Sequence, residues 1–288
     1  MILSPSGSHH WIGGRPELQI MKIFRNKPRA LLIRAAGTNC DIELAEAFRI
    51  AGADSLTIHV DLLIRQPDFI NDFHIIAIPG GFSYGDDIAA GRILALKIRQ
   101  HLAEHLQAAV SRGVPVLGIC NGFQVLVQTG LLPGIPFNKK RTSNRTLSLA
   151  ENTNGRFIDD WVPVSIESDS PCIWTKGITD TADMMILPVA HAEGRFLADP
   201  QALNYIEENN LAALRYLHNP NGSIADIAGI CDPSGLVFGL MPHPERYVRK
   251  SQHPSWTRIY SNNTDKFSAS ETIGLRMIRQ AVIYVANK

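Results

Sequence analysis

A cysteine between two glycines carries the clearest chemical signal in the chain. Cys120 lies in the segment Gly118–Gly122 (Gly-Ile-Cys-Asn-Gly), after an apolar run and before a helix-like one. This G-x-C-x-G pattern is the cysteine version of the nucleophile elbow, a sharp strand-to-helix turn that exposes the nucleophile. A side chain at either glycine would collide with neighbouring backbone. The helix start supplies N–H groups and a positive dipole end, which favour a thiolate and a developing oxyanion.

Cys120 also has a simpler interpretation, because a free cysteine is most often a small buried apolar residue. Its position favours catalysis instead. The apolar run Val114–Ile119 predicts a buried strand that ends directly before the cysteine. Open α/β sheets bind their ligands at the carboxyl ends of strands. We therefore predict that Cys120 is a nucleophile.

A histidine and a glutamate near the C-terminal end could assist a thiol. A thiol nucleophile needs a base and a third group that orients that base. His243 lies in Met-Pro-His-Pro-Glu-Arg (241–246), where a proline on each side restricts the backbone. Glu245 reaches the same side as His243 if the segment is extended. The alternative is a surface turn with a solvated histidine and glutamate.

A glycine-rich segment follows another apolar run. Pro-Gly-Gly-Phe-Ser-Tyr-Gly-Asp-Asp (79–87) allows the backbone to approach a ligand closely and to direct N–H groups at it. No lysine stands where a phosphate-binding loop would need one. We interpret Asp86 and Asp87 as helix-start carboxylates, and we predict no metal ligands.

The elements around these residues alternate between strand and helix. Apolar runs predict strands at Ala30–Ile33, Leu56–Val60, His74–Pro79 and Val114–Ile119. Helix-like spacing follows at 42–51, with Ile42, Ala45 and Phe48 on the apolar face and Asn39 or Asp41 as cap, then at 94–110 and 121–129. This alternation predicts an α/β fold of the flavodoxin-like kind, an open, mostly parallel sheet with helices on both faces.

The rest of the chain predicts a hairpin, a surface segment and a last helix. Two apolar runs, Ile224–Ile230 and Leu236–Met241, flank a turn-forming cluster. Residues 250–270 are polar, and Thr272–Val285 has helical spacing. We expect residues 1–27 to form a loose arm and residues 28–288 to form a single domain.

Composition excludes several classes of protein. Across 288 residues the net charge is +1, which argues against a nucleic-acid binder. No apolar stretch is long enough to predict a membrane span. The four cysteines form no C-x-x-C pair, so neither a zinc ribbon nor a dithiol site is indicated. We expect a reducing cytoplasmic environment and a free thiol.

The three segments, in this order, resemble the class I (triad) glutamine amidotransferases. Within that class the amino-acid sequences of these segments are similar to those of members that serve purine biosynthesis. Two further segments share the likeness: Arg-Ala-Ala-Gly-Thr-Asn-Cys-Asp (34–41) and His-Ala-Glu-Gly-Arg-Phe (191–196). The resemblance runs from about Arg29 to Arg246, and the arm and the 250–270 segment are additions to the shortest form of the fold.

The resemblance implies a catalytic triad. Cys120 would attack the side-chain amide of glutamine. His243 would take the thiol proton and give it to departing ammonia. Glu245 would orient His243.

The resemblance also implies the surroundings of the substrate. Backbone N–H groups of Gly81 and Asn121 would form the oxyanion hole. Gln124 and Gly80 would contact glutamine. The family implies no cofactor and no metal in this chain.

The implied partners are L-glutamine and a large synthase subunit, with a small accessory subunit as a further partner. Ammonia would pass to the synthase, where ATP and magnesium are used. Neither nucleic acid nor a membrane is expected as a partner.

Three other functions remain open on sequence alone. One is a different amidohydrolase with the same elbow, and another is an amidotransferase that serves GMP, CTP or tryptophan synthesis. The third is a catalytically silent regulatory subunit, whose mark would be the loss of the cysteine, histidine or glutamate. Cys40 is interpreted as a loop residue, and the role of His191 and Glu193 is left undecided.

Overall fold

The computed structural model describes residues 27–134, 147–179, 185–258 and 271–288. The expected N-terminal arm, apart from its last residue, and residues 259–270 of the predicted polar segment lie outside the described residues. No helix in the described ranges is long and apolar enough to span a membrane.

Nine of the strands in the described ranges form one sheet, in the order β2-β1-β3-β4-β11-β10-β9-β6-β7. The strands are β1 Arg29–Arg34, β2 Asp54–His59, β3 Ile75–Ile78, β4 Val116–Ile119, β5 Leu147–Ala150, β6 Ile158–Ile166, β7 Ile186–His191, β8 Arg195–Ala198, β9 Ala212–Tyr216, β10 Ile227–Cys231 and β11 Val237–Leu240. The first five strands of the sheet are parallel to one another, and the other four extend it with antiparallel pairings. Strands β5 and β8 pair separately.

The helices cover the sheet in two groups. They are α1 Asp41–Ala51, α2 Val60–Arg65, α3 Arg92–His101, α4 Ala103–Ser111, α5 Asn121–Thr129, α6 Pro200–Glu208 and α7 Ile273–Ala286. Helix α1 packs against α7, and α3 packs against α5. The connection from β1 to β2 runs toward one edge of the sheet, and the connection from β3 to β4 runs toward the other. Because such crossovers are right-handed, helices α1 and α3 lie on opposite faces of the sheet.

The strand order locates the functional residues. The order β2-β1-β3-β4-β11 is that of flavodoxin-like sheets, so the predicted fold class is confirmed. Its topological switch point lies between β1 and β3. The loops after these strands meet there, with Thr38 paired to Gly81. Cys120 follows the neighbouring strand β4.

The buried strands explain why the apolar runs predicted them well. Every residue of β3 and β4 is buried, as expected of parallel strands covered on both faces. The predicted hairpin is confirmed as β10 and β11, with Asp232–Gly235 between them.

The predicted cap of the first helix is wrong, and its predicted apolar face is confirmed at Phe48 but wrong at Ile42. Ile42 is 79% exposed, whereas Leu44 and Phe48 are buried. Positions three and four residues apart share a helix face, so the buried stripe runs from Leu44 and leaves Ile42 on the outer side. The N-cap is Cys40, whose side chain forms no capping hydrogen bond.

The single helix predicted over 94–110 is divided. The chain leaves helical geometry at Leu102, with φ −123°, so α3 and α4 are separate helices. The four-residue spacing was nevertheless informative, since Leu94, Ile98 and Leu106 are all buried.

Candidate active site

Cys120 occupies a strained turn between β4 and α5. Its φ of 52° and ψ of −105° are rare for a residue with a side chain, and such strain concentrates at functional sites. A Cβ on Gly118 would lie 2.6 Å from the carbonyl oxygen of Gly122. A Cβ on Gly122 would lie 1.9 Å from the carbonyl oxygen of Ile78. Both glycines are therefore needed to fold the chain sharply around the thiol.

Replacing Gly122 tests this local requirement. Gly122→Ala should lower the free energy of unfolding by about 3 kcal/mol or more, because the added methyl group meets β3 backbone rather than a movable side chain. Gly155→Ala is the control, since nothing lies within 4 Å of its added Cβ and only its left-handed backbone opposes the change. The free energy of unfolding of Gly155→Ala should fall by about 1 kcal/mol. Equal losses in urea unfolding would contradict the packing argument.

His243 and Glu245 form a buried pair. His243 Nδ1 lies 2.7 Å from Glu245 Oε1, and each residue is about 1% exposed. The contact does not need the extended segment that the sequence suggested. Residues Pro244–Arg246 form a 3₁₀ turn, and this turn brings the carboxylate back to the ring.

Strand β7 brings the histidine and the cysteine to one place. The His243 N–H donates to the carbonyl of Pro188 at 2.8 Å. The Cys120 thiol lies 3.7 Å from the carbonyl of Ala190, two residues further along the same strand. The parallel pairing of β4 with β11 adds to this, because Cys120 N donates to Leu240 O three residues before His243.

The electrostatics of His243 favour the imidazolium. Burial lowers the pKa of His243, but the Glu245 carboxylate and the Cys120 sulfur outweigh burial and raise it well above its ordinary value. Nε2 is buried and has no hydrogen-bond partner among the described residues. The ring therefore has one nitrogen held by Glu245 and the other left for a reacting group.

The Asn121 side chain ties the cysteine turn to the glycine-rich loop. Asn121 Oδ1 accepts from the backbone N–H of Ser83 at 3.3 Å, and its Nδ2 donates to Asp86 Oδ1 at 3.1 Å. Asp86 Oδ1 also accepts from the N–H of Gly91, the N-cap of α3. Asp86 thus stabilises the loop from a position five residues before the cap, rather than standing at the helix start as predicted.

The four predicted pocket residues are placed around this turn. Asn121 begins α5, so its backbone N–H has no intrahelical acceptor. Gly81 has a φ of 141°, and a Cβ there would lie 2.7 Å from Asn39 N. Gln124 Nε2 donates to Glu193 O at 2.5 Å, which fixes its amide beside Asn121. A Cβ on Gly80 would lie 2.8 Å from His243 Cε1.

His191 is a buried neutral histidine. Asn152 donates its amide hydrogens to the carbonyls of Arg156 and His191, so its oxygen must accept. That oxygen lies 3.1 Å from His191 Nδ1, which therefore carries the hydrogen. Burial and, secondly, the charge of His243 lower the pKa of His191 to about 4. The role left undecided by the sequence thus includes holding strand β7 in place.

His191 should make the fold acid-sensitive. Its folded pKa is depressed to about 4, so the unfolded chain binds more protons below about pH 6.5 and stability falls as the pH falls. Between pH 7 and pH 4 this effect lowers the free energy of unfolding by on the order of 3 kcal/mol. Well below pH 6.5 the His243 ring is protonated in both states and adds no slope. Nearer pH 7 its raised pKa makes stability rise as the pH falls, which is the opposite sign.

The measurement is urea unfolding between pH 7 and pH 4. His191→Asn keeps a donor for Asn152 and should flatten the pH dependence. His218→Asn, at an exposed position, should not. An unchanged slope in His191→Asn would show that other groups cause the acid sensitivity.

Two groups at the site were missed by sequence reasoning. Cys40 Sγ lies 3.9 Å from His243 Nδ1, and Arg246 Nη2 donates to that sulfur at 3.1 Å. Arg246 also pairs with Glu43 at 3.4 Å. The only sequence signal was that Arg246 directly follows the His-Pro-Glu segment. Cys40, His243 and Glu245 are also the residues of the described part that could hold a metal ion.

The chain is similar to known glutamine amidotransferases. A model of the CobB/CobQ-like glutamine amidotransferase domain matches residues 27–285. The chain belongs to this family. The phosphoribosylformylglycinamidine synthase subunit PurQ of Dehalococcoides mccartyi is 43% identical over 238 residues, covering 80% of this chain and 90% of that protein. PurQ of Methanococcus maripaludis strain S2 is 39% identical over 274 residues, covering 89% and 97%.

Solved structures agree with the family. A chain in the structure of PurLQS from Thermotoga maritima is 30% identical, with a TM-score of 0.65 and coverage of 90% of this chain and 98% of that one. A glutamine amidotransferase of Thermotoga maritima has a TM-score of 0.50 at 16% identity, covers 91% and 100%, and supports the fold alone. The predicted resemblance to class I glutamine amidotransferases is confirmed, and the chain is a glutamine amidotransferase of the PurQ type.

Proposed function

We propose that this chain is the glutaminase subunit of a phosphoribosylformylglycinamidine synthase, with Cys120 as nucleophile. The observation that carries the proposal is the meeting of a strained cysteine turn with a buried His243–Glu245 pair at strand β7. A thiol, a base and an orienting carboxylate are the groups that amide hydrolysis through a thioester requires.

The reaction would proceed in two steps. Cys120, having passed its thiol proton to His243 at Nε2, attacks the side-chain carbonyl of glutamine as a thiolate. His243 then returns that proton to the departing nitrogen, so that the C–N bond breaks, ammonia leaves and a thioester remains. Water, deprotonated by the same nitrogen, then attacks the thioester; the C–S bond breaks, glutamate leaves, and the Cys120 thiolate and the protonated His243 are restored. Glu245 stabilises the imidazolium in each step.

Backbone donors would stabilise the tetrahedral intermediates. We assign this role to the N–H groups of Gly81 and Asn121, which lie on the two loops that the Asn121 side chain joins. Gln124 and Gly80 would line the glutamine pocket. Loss of one oxyanion donor typically costs about 10²–10³-fold in rate, so small movements of the loop after β3 would switch the enzyme off.

The ammonia would be used by another chain. We propose that a synthase subunit, joined by a small accessory subunit, receives it and converts formylglycinamide ribonucleotide to the amidine with ATP and magnesium. The PurQ relatives are named as subunits of such a synthase. The four cysteines of this chain are free and buried, which suits a reducing cytoplasm.

The test is glutamate formation by the purified chain, alone and with its synthase partner, nucleotide substrate and ATP. We expect slow turnover alone and an increase of about 10²-fold or more in the complex. Ammonium chloride should replace glutamine for the synthase but not restore glutamate formation. Full activity of the chain alone would favour a stand-alone amidohydrolase, and no activity in either condition would favour a silent regulatory subunit.

A further inference from the structure

Cys40 is a buried thiol that the proposed catalytic steps do not use. It is 1% exposed and lies near the same ring nitrogen of His243, Nδ1, that contacts Glu245. Its sulfur is 3.9 Å from His243 Nδ1. Glycine at position 80 leaves this space open, because a Cβ there would lie 3.2 Å from the sulfur and 2.8 Å from His243 Cε1.

Three different ligand atoms converge at this point. Cys40 Sγ, His243 Nδ1 and a Glu245 carboxylate oxygen all lie within 4.8 Å of one another. Sulfur, imidazole nitrogen and carboxylate oxygen are the ligands that Zn²⁺ takes in proteins. Tetrahedral zinc holds a thiolate sulfur and an imidazole nitrogen roughly 3.6 Å apart, close to the 3.9 Å found here. It holds an imidazole nitrogen and a carboxylate oxygen roughly 3.4 Å apart, so the ion must open the 2.7 Å hydrogen bond between His243 Nδ1 and Glu245 Oε1.

We propose that Cys40, His243 and Glu245 form an inhibitory site for a thiophilic divalent cation such as Zn²⁺. The inhibition rests on the proposed role of His243 as base, whereas the binding does not. Solvent lies nearby at Asn39, an exposed residue whose Oδ1 is 3.2 Å from the Cys40 sulfur.

The charges at the site balance when the ion binds. The thiolate and the carboxylate together supply two negative charges to a cation of charge +2, and the charge of Arg246 is paired with Glu43 at 3.4 Å. Arg246 donates to the same sulfur and stabilises its thiolate form. The ion binds the thiolate and not the thiol, so binding releases at least one proton to solvent.

Coordination at Nδ1 would remove the base. A neutral imidazole has one nitrogen that carries hydrogen and one that carries a lone pair. With the lone pair of Nδ1 bound to the ion, the hydrogen resides on Nε2, which then cannot accept the proton of Cys120. The ion also takes the carboxylate that stabilises the imidazolium.

The experiment measures binding separately from activity. The full chain is titrated with Co²⁺, whose thiolate ligation gives a charge-transfer absorption, and with Zn²⁺ in a competition assay for stoichiometry and affinity. Wild type, Cys40→Ala, Cys40→Ser, Cys120→Ser and Cys231→Ala are compared, with thermal unfolding as the check on folding. We expect one ion per chain in wild type, Cys120→Ser and Cys231→Ala.

In Cys40→Ala we expect the thiolate band to vanish and the affinity to fall about 100-fold or more, since even outer contacts of metal ligands are worth 10–100-fold. In Cys40→Ala, glutaminase inhibition by zinc, expressed against the metal-free rate of that variant, should fall in parallel. In wild type the inhibition should be reversed by a chelator. The conservative Cys40→Ser should retain weaker binding without the band.

Two results would overturn the proposal. One is zinc binding in Cys40→Ala within twofold of wild type. The other is loss of the thiolate band in Cys120→Ser with its retention in Cys40→Ala, which would place the ion on the nucleophile. A metal-free chain without glutaminase activity in the synthase complex would instead contradict the proposed function and leave the binding result standing.

Discussion

Cys120→Ser should lower glutamine turnover by about 10⁴-fold or more while leaving the fold intact. A hydroxyl is a far weaker nucleophile than a thiol at neutral pH, and His243 is placed to serve a sulfur. The backbone of residue 120 keeps its strained turn in the variant, because Gly118 and Gly122 determine that turn. The measurement is glutamate formation in the synthase complex, with ammonia-dependent synthase activity as the reference.

Cys172→Ser is the matched control for this prediction. Cys172 is equally a buried free thiol but lies beside Cys231 and Trp174, outside the site. Glutamine turnover by Cys172→Ser should stay within a few fold of wild type. A glutamine-analogue chloroketone should label Cys120 and spare the other three cysteines. Turnover within a few fold of wild type in Cys120→Ser would falsify the assignment of the nucleophile.

His243→Ala should cost about 10³–10⁴-fold in turnover, the upper part of the range for a positioned acid–base group. In the proposed mechanism, loss of the ring removes both the acceptor for the Cys120 proton and the donor to departing ammonia. The measurement is the pH dependence of kcat/KM in the complex, which should lose the ionisation that His243 contributes in wild type. Normal turnover would mean that another histidine is the base.

Glu245→Gln is the comparison for His243→Ala and should cost less. The amide oxygen can still accept from Nδ1, so the ring stays oriented, but the negative charge that raises the pKa of His243 is lost. The wild-type profile should therefore shift to lower pH in this variant. A loss as large as that of Cys120→Ser would give Glu245 a role beyond orienting and stabilising the ring.

Several features of the site were predictable because they are local. The glycines at positions 118 and 122 predicted a sharp turn around residue 120, because only a residue without a Cβ avoids the nearby backbone there. The alternation of apolar runs with helical spacing predicted the parallel part of the sheet. The spacing did not detect that the chain leaves helical geometry at Leu102 or that Ile42 faces outward, because neighbouring elements decide both.

The sequence by itself therefore determined the chemistry that is available: a thiol on a sharp turn, a histidine and a glutamate held by prolines, and the strands that carry them. Only the tertiary structure decided which groups meet. Cys40 is 203 residues from His243 in sequence, and Asn152 is 39 residues from His191. Their contacts depend on strand order, register and crossover direction, which are properties of the whole sheet and leave no mark in the spacing of nearby residues.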